Sequence, residues 1–154
     1  MQRRTFLKGT LAGSAVAVAV GAGLLSPRTV LAAWPKAAFE AKSVEDAMTG
    51  LFGSAANTPS ADIKIKAPDI AENGAVVPVS VSTSLGNVDS IAVIAEKNGT
   101  PLASNFKLGA NTLADVSTRI KMGKTSDVIA VVKANGKAYS ARKNVKVTIG
   151  GCGG

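Results

Sequence analysis

Residues 127–149 read DVIAVVKANGKAYSARKNVKVTI. Two runs, Asp127 to Ala134 and Lys137 to Ile149, flank the dipeptide Asn135-Gly136, which supplies the positive φ angles that a tight hairpin needs. In the second run Ala141, Lys143, Val145, Val147 and Ile149 share one face, while Arg142, Asn144, Lys146 and Thr148 share the other. Period two is the mark of a half-buried strand.

The same pattern recurs upstream. Ile63 and Ile65 alternate with Lys64 and Lys66, and Val77, Val79, Val81 and Thr83 alternate with Pro78, Ser80 and Ser82. Val88 to Glu96, Pro101 to Leu108 and Thr112 to Lys121 are further strand candidates, with Asn98-Gly99 as a second expected hairpin. About seven short strands with turns roughly every ten residues predict a mainly β chain: an immunoglobulin-like antiparallel β-sandwich. It lacks the marks of a true immunoglobulin domain, because the chain has one cysteine and its one tryptophan, Trp34, lies outside the strand region.

A short helical segment precedes the strands. In WPKAAFEAKSVEDAMTGLFG, residues 34–53, Phe39, Ala47, Met48, Leu51 and Phe52 recur at helical steps. Ser43 with Asp46 three residues on is a weaker form of a capping box, and Gly53 is the expected stop. The reading is one broken helix or two short ones, docking an apolar stripe.

The chain has 154 residues, room for one ordinary core. Its first residues are expected to be a targeting segment. Arg3 and Arg4 precede Thr5, Phe6, Leu7 and Lys8, like a twin-arginine export signal, and residues 9–25 are apolar but built mostly of Ala, Gly and Val. A retained membrane anchor is normally richer in large apolar residues. The small residues of VLAAWP suit cleavage after Ala32 or Ala33, and Arg28 just before them fits the twin-arginine route. Residues 1–32 are thus read as a cleaved signal, residues 33–149 as helical segment plus sandwich, and residues 150–154 as a separate tail. The location expected is the periplasm, reached folded, with no retained anchor.

Of 18 basic and 10 acidic residues, the leader holds Arg3, Arg4, Lys8 and Arg28 and no acid, so the net charge falls from +8 to +4. That value is ordinary for a soluble domain. The dispersed cations and few aromatics give no nucleic-acid stripe.

Chemistry is narrowed by what is missing. With no histidine there is no Ser-His-Asp arrangement, Cys-His pair or imidazole metal site, and one cysteine cannot hold a zinc, iron–sulfur or haem group. No cofactor is expected, and export as a preformed complex becomes the reason for a folded-protein route. Glu45 and Asp46 near a helix start favour the macrodipole and read as structural. Residues 108–127, LGANTLADVSTRIKMGKTSD, lack phosphate-loop spacing and read as turns with solvated lysines.

That leaves Cys152 between Gly150, Gly151, Gly153 and Gly154. Alternation stops after Ile149, and glycine populates more backbone conformations than any other residue, so an accessible, unpacked thiol is expected. Three chain steps carry Cys152 roughly 10 Å beyond Ile149 on a narrow arm. Nothing on the arm activates the thiol: the terminal carboxylate, at about 8 Å in water, contributes roughly 0.5 kcal/mol. Only a few per cent is thiolate near neutral pH. A thiol that is presented but not armed suits a covalent carrier served by other enzymes. The residues leave two other readings: a dimer cross-linked through the cysteine, or a carrier whose terminal Gly-Gly becomes a thiocarboxylate on a β-grasp fold.

The terminal VTIGGCGG, the segment APDIAENGAVVPVSV from Ala67 to Val81 and the twin-arginine leader together resemble the SoxY family, sulfur-carrier subunits of the periplasmic thiosulfate-oxidising Sox system. The likeness covers essentially the whole chain. It implies that Cys152 is the attachment point for sulfur intermediates and that the four glycines form its swinging arm. It further implies a heterodimer with a SoxZ-type subunit, oxidative loading by a SoxXA cytochrome, release of sulfate by SoxB, and further oxidation where a SoxCD-type dehydrogenase is present. The chain would then be no enzyme but a covalent substrate of its partners.

Overall fold

The computed structural model describes residues 34–148. The expected leader with Arg3 and Arg4, the end of the last strand at Ile149, and the expected arm with Cys152 lie outside the described residues. Two helices, α1 (Lys36–Glu40) and α2 (Val44–Phe52), precede the strands. The strands are β1 (Thr58–Pro59), β2 (Ile63–Lys66), β3 (Ile70–Ala71), β4 (Val77–Thr83), β5 (Val88–Ala95), β6 (Leu102–Lys107), β7 (Asp115–Ile120), β8 (Ser126–Ala134) and β9 (Lys137–Val147).

The helix ends follow their local chemistry. Ser43 Oγ accepts from the Asp46 N–H at 3.0 Å and donates to Asp46 Oδ2 at 2.7 Å, satisfying one orphan donor of α2 and placing a carboxylate at its positive end. Gly53 closes α2 in the left-handed region, φ 78°, and its N–H donates to Thr49 O at 2.8 Å.

The seven longer strands occupy the seven expected positions and form two facing sheets. One sheet runs β2-β4-β7 and the other β9-β8-β5-β6. The first, second and fifth long strands are thus on one side and the rest on the other, a Greek-key arrangement of immunoglobulin type. The sequence pattern did not announce β1 and β3. Each has two residues, and each pairs in parallel with β9: Thr58 and Pro59 beside Tyr139 and Ser140, Ile70 and Ala71 beside Lys146 and Val147. They cover the edge of β9, so the second sheet is six-stranded and not wholly antiparallel.

The β8–β9 hairpin closes at Ala134 opposite Lys137, with Asn135 at φ 51° and Gly136 at φ 74°, the two positive angles of the expected tight turn. Asn98-Gly99 does not act this way. Neither residue has positive φ, because residues 96–101 provide six positions in which β5 can turn back to β6. The Asn98 side chain instead brackets another loop, donating to Lys121 O at 2.6 Å and accepting from the Gly123 N–H at 3.0 Å.

Between the sheets Val77, Val79, Val81, Ile91, Val93, Val128, Ala130, Val132 and Val145 are buried together. The opposite face of β5 and β8 is buried as well. Ala92, Ile94, Ile129 and Val131 pack with Ala38, Ala47 and Met48 of the two helices. Each Ile or Val so covered contributes about 1.5–3 kcal/mol, so the helices are part of the fold rather than an appendage. Charges guard two of the free edges: Lys64 and Lys66 on β2, Asp115 and Arg119 on β7.

Candidate functional site

None of Cys152, Gly150, Gly151, Gly153 and Gly154 is among the described residues. What is described is the root from which they issue, the end of β9. The Ser126–Val145 pair is the last between β8 and β9, and no backbone pairing continues the ladder beyond it. Lys146 and Val147 of β9, and Thr148 just after it, nevertheless keep their backbone donors paired. The Lys146 N–H donates to Asp69 O at 2.9 Å and the Thr148 N–H to Ala71 O at 3.0 Å, both on the β3 side. On the other side the Val147 N–H donates to Thr125 Oγ1 at 2.9 Å, and that hydroxyl lies 3.4 Å from Val147 O as donor. A side chain thus takes the place of the missing strand.

The β3 side is fastened in turn. Lys143 shares a strand face with buried Val145, and its Nζ donates to Ala67 O at 2.7 Å while pairing with Asp69 Oδ1 at 3.1 Å. The following turn passes under the root. The Asn73 side chain accepts from the Ala75 N–H at 3.0 Å, and the Met122 N–H donates to Gly74 O at 2.7 Å. A Cβ on Gly74 would overlap Met122 O and lie 2.8 Å from Val147 Cγ1. Only glycine lets these backbones approach so closely.

The electrostatics of the root are mild. Arg142 reaches Glu96 at 3.1 Å and Asp127 at 3.8 Å on the outer face, both partly exposed and of small net effect. Among the described residues no group of three or more histidine, cysteine, aspartate or glutamate residues is placed to hold a metal ion. Among them, too, no helix is long and apolar enough to cross a membrane. Asp46 acts in the helix cap, as its position suggested. The strand-sandwich fold also departs from the β-grasp that a Gly-Gly thiocarboxylate carrier requires.

Comparison with known proteins settles the lineage. The family model described as "Sulfur oxidation protein SoxY" matches residues 48–152, from α2 through every strand to the cysteine. The chain belongs to the SoxY family. It is also 42% identical to a solved structure, the sulfur carrier protein SoxY from Chlorobium limicola f thiosulfatophilum. That match covers 70% of this chain and 97% of that one, with a TM-score of 0.64. A superoxide reductase (neelaredoxin) variant from Ignicoccus hospitalis shares only the fold, at 21% identity and a TM-score of 0.50, over 60% of this chain and 81% of that one. No curated protein matches the sequence at the same stringency.

Within this SoxY-family frame, the Ala67–Val81 segment gains a structural meaning. It supplies β3, the Gly74 turn and the start of β4, and so wraps the root of the tail. Sequence reasoning missed Thr125, which it placed among solvated turns. Its partner Val147 is 22 residues away, and only the register of β8 against β9 brings the two together.

Proposed function

We propose that this chain carries sulfur groups covalently on Cys152 during thiosulfate oxidation, and that Gly150, Gly151, Gly153 and Gly154 form the arm presenting them. The observation that carries this reading is a SoxY-family match running through the whole sandwich and reaching Cys152. The described root supports it: the chain at the end of β9 is held by its neighbours up to Thr148, two residues before Gly150, the first glycine. Residues 1–32 are then a leader cleaved after twin-arginine export through Arg3 and Arg4, and the mature chain works in the periplasm.

Loading joins the Cys152 thiolate to the outer sulfur of thiosulfate. One S–S bond forms and two electrons leave, accepted by a SoxXA-type cytochrome. Water then attacks the sulfone sulfur in a SoxB-type hydrolase. The bond from sulfone to sulfane sulfur breaks, its electron pair stays on the sulfane as a persulfide, and sulfate and protons depart. Where a SoxCD-type dehydrogenase is present, the remaining sulfur is oxidised further. The tail sequence carries no base or cation to drive any of these steps. The partners act as enzymes and this chain as their covalent substrate. A SoxZ-type subunit completes a heterodimer, which accounts for folded export of a chain with no cofactor.

Intact-mass measurement tests the reading. Incubation with thiosulfate and a SoxXA-type cytochrome is expected to add one thiosulfate-derived group to the C-terminal peptide. Iodoacetamide blocks the addition, and labelling that survives Cys152→Ser would sink the proposal. If the cysteine merely cross-linked dimers, reduction would abolish function instead of enabling loading.

A further inference from the structure

We propose that Thr125 is a positioning residue for sulfur transfer: its hydroxyl, opposite β3, fixes the point and direction from which the tail leaves β9. This rests on the carrier reading above.

Three observations meet at this residue. First, β8 begins at Ser126, so Val147 has no β8 backbone opposite it to continue the ladder. The Thr125 hydroxyl fills that place, accepting from the Val147 N–H at 2.9 Å. Second, the flanking N–H groups of Lys146 and Thr148 go the other way, to Asp69 O and Ala71 O. Successive donors of a strand point to opposite sides, so a clamp needs a partner on each side. Without Thr125, one side of the clamp is open to water. Third, the loop carrying Thr125 is itself bracketed, since Asn98 grips Lys121 O and the Gly123 N–H. The hydroxyl is therefore presented from a braced loop.

The consequence concerns reach. With Thr148 held, only residues 149–152 lie between the root and the thiol, and four steps span at most about 14 Å. Transfer between active sites depends on where that short tether points as well as on its length.

The experiment compares the mature chain, in complex with its partner subunit, with Thr125→Val and Thr125→Ser. Thr125→Val keeps the shape and removes the hydroxyl; Thr125→Ser keeps the hydroxyl. Amide exchange at Val147 is expected to accelerate about threefold or more in Thr125→Val and to stay native in Thr125→Ser. In separate samples, one nitroxide on Cys152 and a second on Lys97→Cys, an exposed loop position at the same end of the sandwich, report the arm. Their distance distribution widens only in the valine variant. With thiosulfate and a SoxXA-type cytochrome, Thr125→Val raises the KM for the carrier about threefold or more with kcat little changed, and Thr125→Ser restores it. Unchanged Val147 exchange in Thr125→Val overturns the clamp. A widened distribution with unchanged KM overturns the positioning role. The carrier reading is judged separately, by whether Cys152→Ser loses loading, so failure of one is not mistaken for failure of the other.

Discussion

Replacing Gly74 with alanine probes the tightest approach at the root of the tail. The new methyl would overlap Met122 O and sit 2.8 Å from Val147 Cγ1. The first obstacle is backbone and cannot rotate away, and the same pair of residues is joined by the 2.7 Å bond from the Met122 N–H to Gly74 O. To admit the methyl, the turn must withdraw and lose that bond, at about 0.5–1.5 kcal/mol. Displacing Val147 adds an overpacking cost of about 1–3 kcal/mol. The expected loss is thus about 2–4 kcal/mol. With a urea slope of about 2 kcal/mol per molar, the unfolding midpoint falls by roughly 1–2 M. Two other glycines serve as controls. Gly86→Ala and Gly99→Ala meet nothing within 4 Å and have no positive φ, so each stays within about 0.5 kcal/mol of the parent. Gly136→Ala also meets nothing but sits at φ 74°, and costs about 1–2 kcal/mol through backbone strain alone. A Gly74→Ala midpoint within the spread of the Gly86 control would refute the steric argument, because the difference between the two sites rests only on those contacts.

Other perturbations separate the parts of the molecule. Ser43→Ala removes the α2 cap and is expected to cost about 1 kcal/mol, lowering the melting temperature seen by circular dichroism by roughly 4 °C; an unchanged melt means the cap is not used in solution. Gly151→Val and Gly153→Val should impair turnover with the partner enzymes far more than stability, and equal losses in both would count against a slim arm. Alkylation of Cys152 by iodoacetamide in the isolated chain should run no faster than that of the cysteine in a free GGCGG peptide. A rate about tenfold or more above the peptide's would reveal an activated cysteine and defeat the proposed division of labour with partner enzymes.

The long strands were legible because burial imposed a rule on their residues. Val77, Val79 and Val81 each enter the core, and Pro78, Ser80 and Ser82 alternate with them, so the sheet face is written into the order of side chains. The αL turn at Asn135-Gly136 was legible for a similar reason, since few residues tolerate that backbone. At Asn98-Gly99 the same dipeptide misled, because a six-residue loop removed the need for positive φ and left the amide free to bracket residues 121–123. β3 left no pattern in two residues, one exposed and one buried. Its existence depends on acceptors from Asp69 and Ala71 reaching a strand more than 70 positions away. The cysteine and its glycines were conspicuous in composition, whereas Thr125 is an ordinary turn residue until the register places it beside Val147.

On the proposed carrier reading, the clamp at the root matters more for shape and direction than for proximity. If β3 and Thr125 released residues 146–148, the tether to Cys152 would grow from four residues, 149–152, to seven, 146–152. Its reach would rise from about 14 Å to about 24 Å. The entropic cost of confining the longer tether rises only as (3/2)RT ln(7/4), about 0.5 kcal/mol, little more than a factor of two in local concentration. Proximity alone would therefore hardly favour the short form. Width does. Before Cys152 the slim part of the chain is Gly150 and Gly151 alone, and every residue gained by fraying is bulkier: Lys146, Val147 and Thr148. In a channel narrow enough to require glycine, those residues could not follow the thiol, so the added reach would be unusable while the direction of the arm was lost. On that reading a carrier gains by ending its ladder as late as its side chains allow, and Thr148 is held two residues before Gly150, the first glycine.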